Sequence, residues 1–190
     1  MNGFERILVV AATERELAPA AGWRTLCCGV GPVEAAIATA QAIAAEKPAA
    51  ILHVGIAGAR RGSDIAPAMI VIGTEAHYHD LAVPVAWAPR VVPPAAALVD
   101  ALRIALPDAL CLPIGTSGRV GGTTDTAVEA MEGFAVLRAA ERAGVPAVEV
   151  RAVSNEIEEA DRARWHIDAA CAAITAATPR LVAEVARCVN

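Results

Sequence analysis

The sequence has no excess of basic residues: 16 Lys and Arg stand against 21 Asp and Glu, giving a formal net charge of −5 and an isoelectric point near 5.4. Proteins whose main task is to bind nucleic acid or an anionic membrane need a concentrated basic surface. The charge balance therefore argues against both kinds of partner. We expect the partner to be a small molecule.

Long apolar runs are also missing, although 56% of the residues are hydrophobic and the mean hydropathy is +0.47. Charged residues interrupt the Ala- and Val-rich stretches, so none reaches the roughly 20 apolar residues that a transmembrane helix needs. Glu5 and Arg6 lead into a short apolar run without the small-residue cleavage pattern of a secreted precursor. We expect this run to form a buried first strand and the chain to have no membrane span.

The five cysteines are odd in number and include no Cys-x-x-Cys pair. A disulfide framework or a zinc knuckle would show a different pattern. We therefore expect reduced thiols and a cytoplasmic location.

Runs rich in Val and Ile alternate with Ala-rich segments of helical length, which is the pattern of an α/β domain with a largely buried sheet. A chain of this length can bury one substantial core, so we expect a single domain over residues 1–190. The predicted strands are 6–12, 24–28, 50–54, 69–75, 77–86, 110–116 and 147–153, and the predicted helices are 32–46, 94–106, 125–143 and 161–187.

Glycine-rich turns follow two of the predicted strands. Gly29-Val-Gly31 opens a predicted helix, and His53-Val-Gly-Ile-Ala-Gly-Ala59 continues a buried strand. Such turns can present backbone N–H groups to an anion or a ribose, and glycine lets a ligand approach the backbone closely. The first turn lacks the third glycine of a dinucleotide fingerprint, so a plain tight turn explains it equally well.

The segment His77-Tyr-His-Asp80 places alternate side chains on one face of an extended chain, a spacing that suits metal ligands. Even with His53 added, nothing in the sequence nominates the remaining ligand. We predict no metal site and no cofactor.

Two glutamates are candidates for chemistry, and each has a structural alternative. Thr13 and Glu16 have the spacing of a capping box, which by itself accounts for Glu16. Glu132 lies among small and apolar residues, where burying a carboxylate without a partner is costly. The alternative is that Glu132 faces solvent, as Glu129 or Glu141 could.

Six segments carry a resemblance in their order as well as their residues: Ala11-Ala-Thr-Glu-Arg-Glu16, Gly29-Val-Gly-Pro-Val-Glu-Ala-Ala36, Gly55-Ile-Ala-Gly58, Tyr78-His-Asp80, Val128-Glu-Ala-Met-Glu-Gly133 and Val150-Arg-Ala-Val-Ser-Asn155. Together they resemble the nucleosidase and nucleoside phosphorylase superfamily over nearly the whole chain. Asp161-Arg-Ala-Arg-Trp-His-Ile-Asp168 and the Ala-rich segment after it are similar to the C-terminal pattern of futalosine hydrolases.

The resemblance implies a central mixed, twisted sheet flanked by helices, with the active site at strand ends. It implies hydrolysis of the N-glycosidic bond of a purine nucleoside, with futalosine as the favoured substrate and hypoxanthine as the product base of menaquinone biosynthesis. It also implies a homo-oligomer of two or more chains.

The same resemblance assigns roles to residues. Glu16 would orient or deprotonate the attacking water, Glu132 would bind the ribose hydroxyls, and Met131 would pack against the sugar. Asn155 would hold the base, with Ser154 supporting its amide. The other expected substrate-binding residues are Gly31, Ile56, Ala57, Gly58 and Val128.

Asn155 stands where methylthioadenosine nucleosidases carry Asp. An aspartic acid can protonate N7 of departing adenine, whereas an amide offers a donor and an acceptor that suit a 6-oxopurine. Three alternatives stay open: an adenine-releasing nucleosidase for methylthioadenosine or S-adenosylhomocysteine, a phosphorylase with an anion site near Arg60, Arg61 and Thr123, and a non-catalytic sensor. The segment 118–128 lacks the family's stacking aromatic, so base stacking is unassigned.

Overall fold

The computed structural model describes residues 3–189. In this part of the chain the strands are β1 Ile7–Ala11, β2 Arg24–Cys27, β3 Ala50–Ala59, β4 Ile70–Tyr78, β5 Val91–Val92, β6 Leu110–Thr116, β7 Val128–Ala130 and β8 Ala147–Glu156. The α-helices are α1 Pro32–Glu46, α2 Ala96–Ala105, α3 Gly133–Ala143 and α4 Ile167–Cys188, and short 3-10 helices cover Gly3–Arg6, Glu14–Glu16 and Arg162–Arg164.

The first strand shows why the sheet is covered on both faces. All five residues of β1 are buried, and successive side chains point to opposite sides. Ile7 and Val9 pack in a core with α2 and α4, whereas Leu8 and Val10 pack in a second core with α1 and α3. A continuous apolar run, rather than an alternating one, is therefore what this strand requires.

Five strands pair in a closed circuit. β3 runs parallel to β8, β8 pairs antiparallel with β4, and β4 runs parallel to β6. β6 runs parallel to β7, and β7 pairs antiparallel with β3, which closes the ring. β1 and β2 extend the sheet from β3, while β5 pairs with the end of β4. The expected mixed sheet flanked by helices is confirmed.

Three predicted boundaries are wrong. The predicted strand 77–86 contributes only its first two residues to β4, and residues 79–90 form turns and bends, where two prolines lack the N–H that a ladder needs. The predicted helix 125–143 begins at Gly133, because Val128–Ala130 pairs with β3 and β6 as β7. The last predicted helix begins at Ile167, after a short 3-10 turn.

By length and composition, α4 is the one helix in residues 3–189 that could cross a membrane. Its apolar face is already occupied, since Ile174, Leu181 and Val185 are fully buried in the core with β1 and α2. Core helices of globular proteins meet the same criterion, so α4 is weak evidence for a membrane span.

Candidate active site

A cavity of about 400 Å³ lies where β1, β3 and β8 end. These three strands are parallel, so their carboxyl ends meet at one edge of the sheet, where α/β proteins usually bind ligands. Of the expected site residues, the structure brings these to the cavity wall: Glu16, Ile56, Ala57, Gly58, Met131, Glu132, Ser154 and Asn155.

Two expected residues do not line the cavity. The backbone N–H of Gly31 donates to Glu132 Oε1 at 3.0 Å, so Gly31 acts on the site through that carboxylate. Val128 is fully buried at the start of β7 and packs with Ile114 and Val71 in the core. The structure therefore corrects the expectation for Val128, whose short strand turns the side chain inward.

Glu16 is held from two elements at once. Its Oε2 accepts hydrogen bonds from the Thr13 N–H at 2.9 Å and the Thr13 hydroxyl at 2.7 Å, so the predicted capping box is present. Its Oε1 accepts from the Ile56 N–H on β3 at 2.9 Å. The carboxylate is 4% exposed and lines the cavity, so the capping role and a role in the site coexist.

Glu132 is buried but not alone. It precedes α3, where the helix dipole favours a negative charge. Its Oε1 accepts from Gly31, and its Oε2 lies 3.4 Å from Arg151 Nη2. The carboxylate thus faces the cavity with partners behind it, and the solvent-facing alternative is wrong.

Arg151 is the functional residue that sequence reasoning missed. It is fully buried on β8, and its Nε donates to Glu149 Oε1 at 2.8 Å while its Nη2 donates to His53 Nε2. Burial disfavours its charge, yet the carboxylates of Glu149, Glu132 and Glu16 raise its pKa. An arginine inside an apolar strand must find carboxylates, and that was the available signal.

His53 is not a free ligand for metal. Its Nδ1 donates to the Val10 carbonyl at 3.0 Å, so its Nε2 carries the lone pair that accepts from Arg151. Burial and the Arg151 charge lower the pKa of His53 well below its usual value. The imidazole is therefore neutral.

Of the other residues weighed as ligands, His77 and Asp80 have partners, whereas His79 Nε2 is buried without a hydrogen-bond partner in residues 3–189. His77 lies 2.8 Å from Glu75, and Asp80 accepts from Ser117 Oγ and from the Gly118 N–H. Within residues 3–189 no group of three or more His, Cys, Asp or Glu side chains could hold a metal ion.

Gly55 allows two charged groups to meet. A methyl group at its Cα would lie 2.3 Å from Arg151 Nη1 and 2.7 Å from Glu16 Oε1. Any side chain there would displace one or both, since real Cβ atoms do not approach so closely. The guanidinium and the Glu16 carboxylate therefore share the space beside Gly55.

A register shift places the base-binding candidate. Ala57 pairs with Val153 and Gly58 with Asn155, so Ser154 is an extra residue in β8 and a β-bulge re-aims the side chain of Asn155. The Ser154 hydroxyl lies 2.7 Å from Asn155 Oδ1, and Asn155 Nδ2 donates to the Glu156 carbonyl at 2.8 Å. One lone pair and one N–H of the amide are left for a ligand.

Trp165 also lines the cavity and was missed. It follows the short helix Arg162–Arg164, donates its indole N–H to the Glu159 carbonyl at 3.0 Å, and has the Arg162 guanidinium 5.6 Å from its ring centre. Among the residues that line the cavity it is the one aromatic side chain. It is therefore a candidate to contact a planar ligand.

Glu129 is buried, so its solvent-facing alternative is wrong as well. Its carboxylate accepts from the Gly121 N–H at 2.6 Å, the Thr123 N–H at 2.7 Å and the Thr123 hydroxyl at 2.8 Å. Glu129 thereby holds the segment 118–128 in place. Of that segment, only Val120 lines the cavity.

Comparison with known proteins agrees with this geometry. Residues 24–111 match the model of the Phosphorylase superfamily. The chain shares the fold of solved nucleosidase structures. A 53-residue stretch is 55% identical to the curated futalosine hydrolase of Streptomyces coelicolor, and this match spans 28% of the chain and only 23% of that protein.

Two solved structures with this fold illustrate the likeness. A 5′-methylthioadenosine/S-adenosylhomocysteine nucleosidase from Colwellia psychrerythraea, in complex with adenine, superposes with a TM-score of 0.81 at 19% identity over 94% of both chains. The futalosine hydrolase of Helicobacter pylori has a TM-score of 0.81 at 14% identity over 94% of this chain and 97% of its own. At these identities the likeness concerns the fold alone.

The shared space beside Gly55 gives a direct prediction. Gly55→Ala should lower kcat/KM for nucleoside cleavage by about a hundredfold, because displacing reacting groups by an ångström is enough for such a loss. Steady-state kinetics measure it. Ile104→Ala is the control, since Ile104 is 80% exposed and does not line the cavity. Equal activity of both variants would show that the contact beside Gly55 is unimportant.

Proposed function

We propose that the chain hydrolyses the N-glycosidic bond of a purine nucleoside, with futalosine as its preferred substrate and hypoxanthine as the released base of menaquinone biosynthesis. The observation that carries the proposal is one cavity lined by the buried carboxylates of Glu16 and Glu132 and by the amide of Asn155, while a third buried carboxylate, Glu129, is bonded to Gly121 and Thr123. The local match to a futalosine hydrolase supports the choice of substrate.

In the proposed reaction the bond between C1′ and the base nitrogen breaks and its electron pair stays with the base. Positive charge then develops on the sugar, and the oxygen of a water molecule bonds to C1′. Glu16 orients this water and accepts its proton, as a carboxylate held within hydrogen-bond reach can do. Glu16 then releases that proton to solvent and the departing base takes one up from solvent, so one water molecule is consumed and Glu16 returns to its charged form.

Glu132 accepts hydrogen bonds from the ribose hydroxyls in this mechanism, and Met131 packs against the sugar. Both residues line the cavity next to each other at the start of α3. Holding the sugar fixes C1′ relative to the water, which lowers the entropic part of the barrier.

Asn155 binds the base without acting as an acid. Its free N–H stabilises negative charge that moves onto the purine, and its free lone pair accepts from a ring N–H of a 6-oxopurine. The Ser154 hydroxyl orients the amide. This pattern supports hypoxanthine over adenine as the leaving base.

Water is favoured over phosphate as the nucleophile. Arg60 donates to the carbonyls of Thr123 and Thr126, and Arg61 pairs with Glu156 at 2.7 Å. Neither arginine lines the cavity, and the Thr123 hydroxyl donates to Glu129. The three residues considered for an anion site are therefore engaged elsewhere.

Base release is the test of the proposed activity. Futalosine, inosine, methylthioadenosine and S-adenosylhomocysteine should be incubated with the purified protein, with and without phosphate, and the bases separated chromatographically. We expect phosphate-independent release of hypoxanthine from futalosine. Adenine as the main product would contradict the role given to Asn155, phosphate dependence would indicate a phosphorylase, and no release would favour a sensor.

Loss of either buried carboxylate should stop turnover. Glu16→Gln and Glu132→Gln are each expected to lower kcat by about a hundredfold or more, because a neutral amide neither accepts the proton nor balances the sugar charge. Thermal unfolding checks that both variants fold. Glu141→Gln, which alters a surface ion pair with Arg138, is the control. A normal rate in either active-site variant would remove that residue from the mechanism.

Self-association is part of the proposal. Val30, Val33 and Ile37 are 57%, 66% and 51% exposed and form an apolar stripe beside a groove between α1 and α3. Val30 also lines the active-site cavity, so a second copy on the stripe would cover the mouth of the site. Large exposed apolar patches usually mark such interfaces.

Light scattering measures the number of chains in solution. We expect a dimer or larger assembly for the wild type and a monomer for Val33→Glu, because a charge in the stripe opposes burial. Val85→Glu is the control, since Val85 is 72% exposed outside the groove. A monomeric wild type would contradict the proposed interface.

A further inference from the structure

Two buried titratable residues have no task in the proposed mechanism. Glu149 on β8 is 1% exposed and His53 on β3 is fully buried. Neither lines the cavity, and both contact Arg151 from behind it. The contact that both residues share with the site is Arg151.

A contribution to stability alone does not explain why Glu149 is buried. Its Oε1 accepts from Arg151 Nε at 2.8 Å, but its Oε2 is buried without a hydrogen-bond partner in the described part of the chain. Apolar residues of similar volume often stabilise a core as well as a buried ion pair does. The hydrogen bond with Arg151 is therefore the contact that explains a carboxylate at this position.

The fold makes room for this carboxylate at the first residue of α3. A methyl group on Gly133 would lie 2.1 Å from Glu149 Oε2 and 2.3 Å from Oε1, so only glycine fits there. Glu149 therefore sits directly beneath the residue that follows Glu132. Its position and that of the active-site carboxylate are set by the same turn.

His53 restrains the guanidinium from another direction. The Val10 carbonyl fixes the imidazole at 3.0 Å, and Nε2 of that ring accepts from Arg151 Nη2. Glu149 and His53 together fix the orientation of the guanidinium plane, because one binds Nε and the other binds Nη2. In this plane Nη2 is directed to Glu132, and Nη1 lies beside Gly55 next to Glu16.

We propose that Glu149 and His53 are positioning residues that fix the plane of the Arg151 guanidinium, and through it the Glu132 carboxylate that faces the cavity. The inference rests on the proposed N-glycosidase activity. Glu149 does not line the cavity and contacts Arg151.

The protonation states of the surrounding groups make this testable by pH. The charged or titratable groups facing Arg151 come from five elements: Glu16, Cys28, His53, Glu132 and Glu149. Burial keeps His53 neutral by lowering its pKa and raises the pKa of the Cys28 thiol to about 12.

Burial raises the pKa of Glu149, and the neighbouring Arg151 charge only partly opposes this. Its protonation therefore contributes to the acid limb of the kcat profile. Replacing Glu149 by a neutral residue removes that titration and one negative charge from the cluster. Without that titration the acid limb moves to lower pH.

The experiment compares Glu149→Leu with Glu149→Gln, using hypoxanthine release at saturating futalosine. The Leu variant loses the acceptor for Arg151 Nε, and we expect kcat to fall by about tenfold or more, as for other residues that orient a reacting group from behind. KM should change less than kcat, because the cavity wall is unaltered. The Gln variant keeps an oxygen acceptor and should recover most of kcat, with the acid limb at lower pH.

Val148→Ala is the matched control for a loss of stability. Val148 is fully buried on the same strand, but its side chain packs in the core with α2 and α4 and does not contact Arg151. Rates are normalised to active sites by titration with a tight-binding nucleoside analogue. If Glu149→Leu matches Val148→Ala in kcat and in pH profile, the positioning role is refuted.

Failure of the proposed function is separable from failure of this inference. A wild-type chain that releases no base contradicts the activity itself, whereas wild-type turnover with an unchanged Leu variant contradicts only the positioning role. Should Glu149→Leu not fold, His53 offers a second test. His53→Gln keeps an acceptor near the Nε2 position and His53→Asn does not, so a positioning role requires higher kcat in the Gln variant, and equal values refute it.

Discussion

The charge of one buried arginine organises the site. Arg151 has no exposure to water, so its guanidinium must be balanced inside the protein, and an unbalanced charge there would cost several kcal/mol. Its contacts come from β3, from β8 and from the turn before α3. Backbone pairing also joins these elements. The arrangement that supplies partners to the Arg151 guanidinium is therefore the same one that closes the ring of strands.

This arrangement of charged groups depends on two glycines, which have no side chain. Gly55 leaves space for Arg151 Nη1 beside Glu16, and Gly133 leaves space for the Glu149 carboxylate beneath α3. A methyl group at either place would meet charged atoms at 2.3 Å or less. Small residues here are therefore part of the electrostatic arrangement, although the sequence placed one glycine in a turn after a predicted strand and the other inside a predicted helix.

Sequence reasoning succeeded where the signal is local. The continuous apolar run of β1 predicted a buried strand, and the spacing of Thr13 and Glu16 predicted a capping box that the structure contains. It failed where partners are distant along the chain. His53 and Arg151 are 98 residues apart, and the three residues of β7 are strand only because β3 and β6 pair with them. Short strands and buried ion pairs leave no local sequence pattern. A helical pattern in the same segment therefore decides the prediction.

The fold leaves the identity of the base undecided, since nucleosidases and a futalosine hydrolase share it at similar TM-scores. Specificity has to come from the wall of the cavity. There the extra residue Ser154 shifts the register of β8 against β3, and the Glu156 carbonyl, which can only accept a hydrogen bond, fixes which end of the Asn155 amide faces which way. A hydrogen-bonding wall discriminates strongly because the wrong base leaves a buried donor or acceptor unpaired. The choice of base thus depends on one residue at a β-bulge, and the rest of the fold does not determine it.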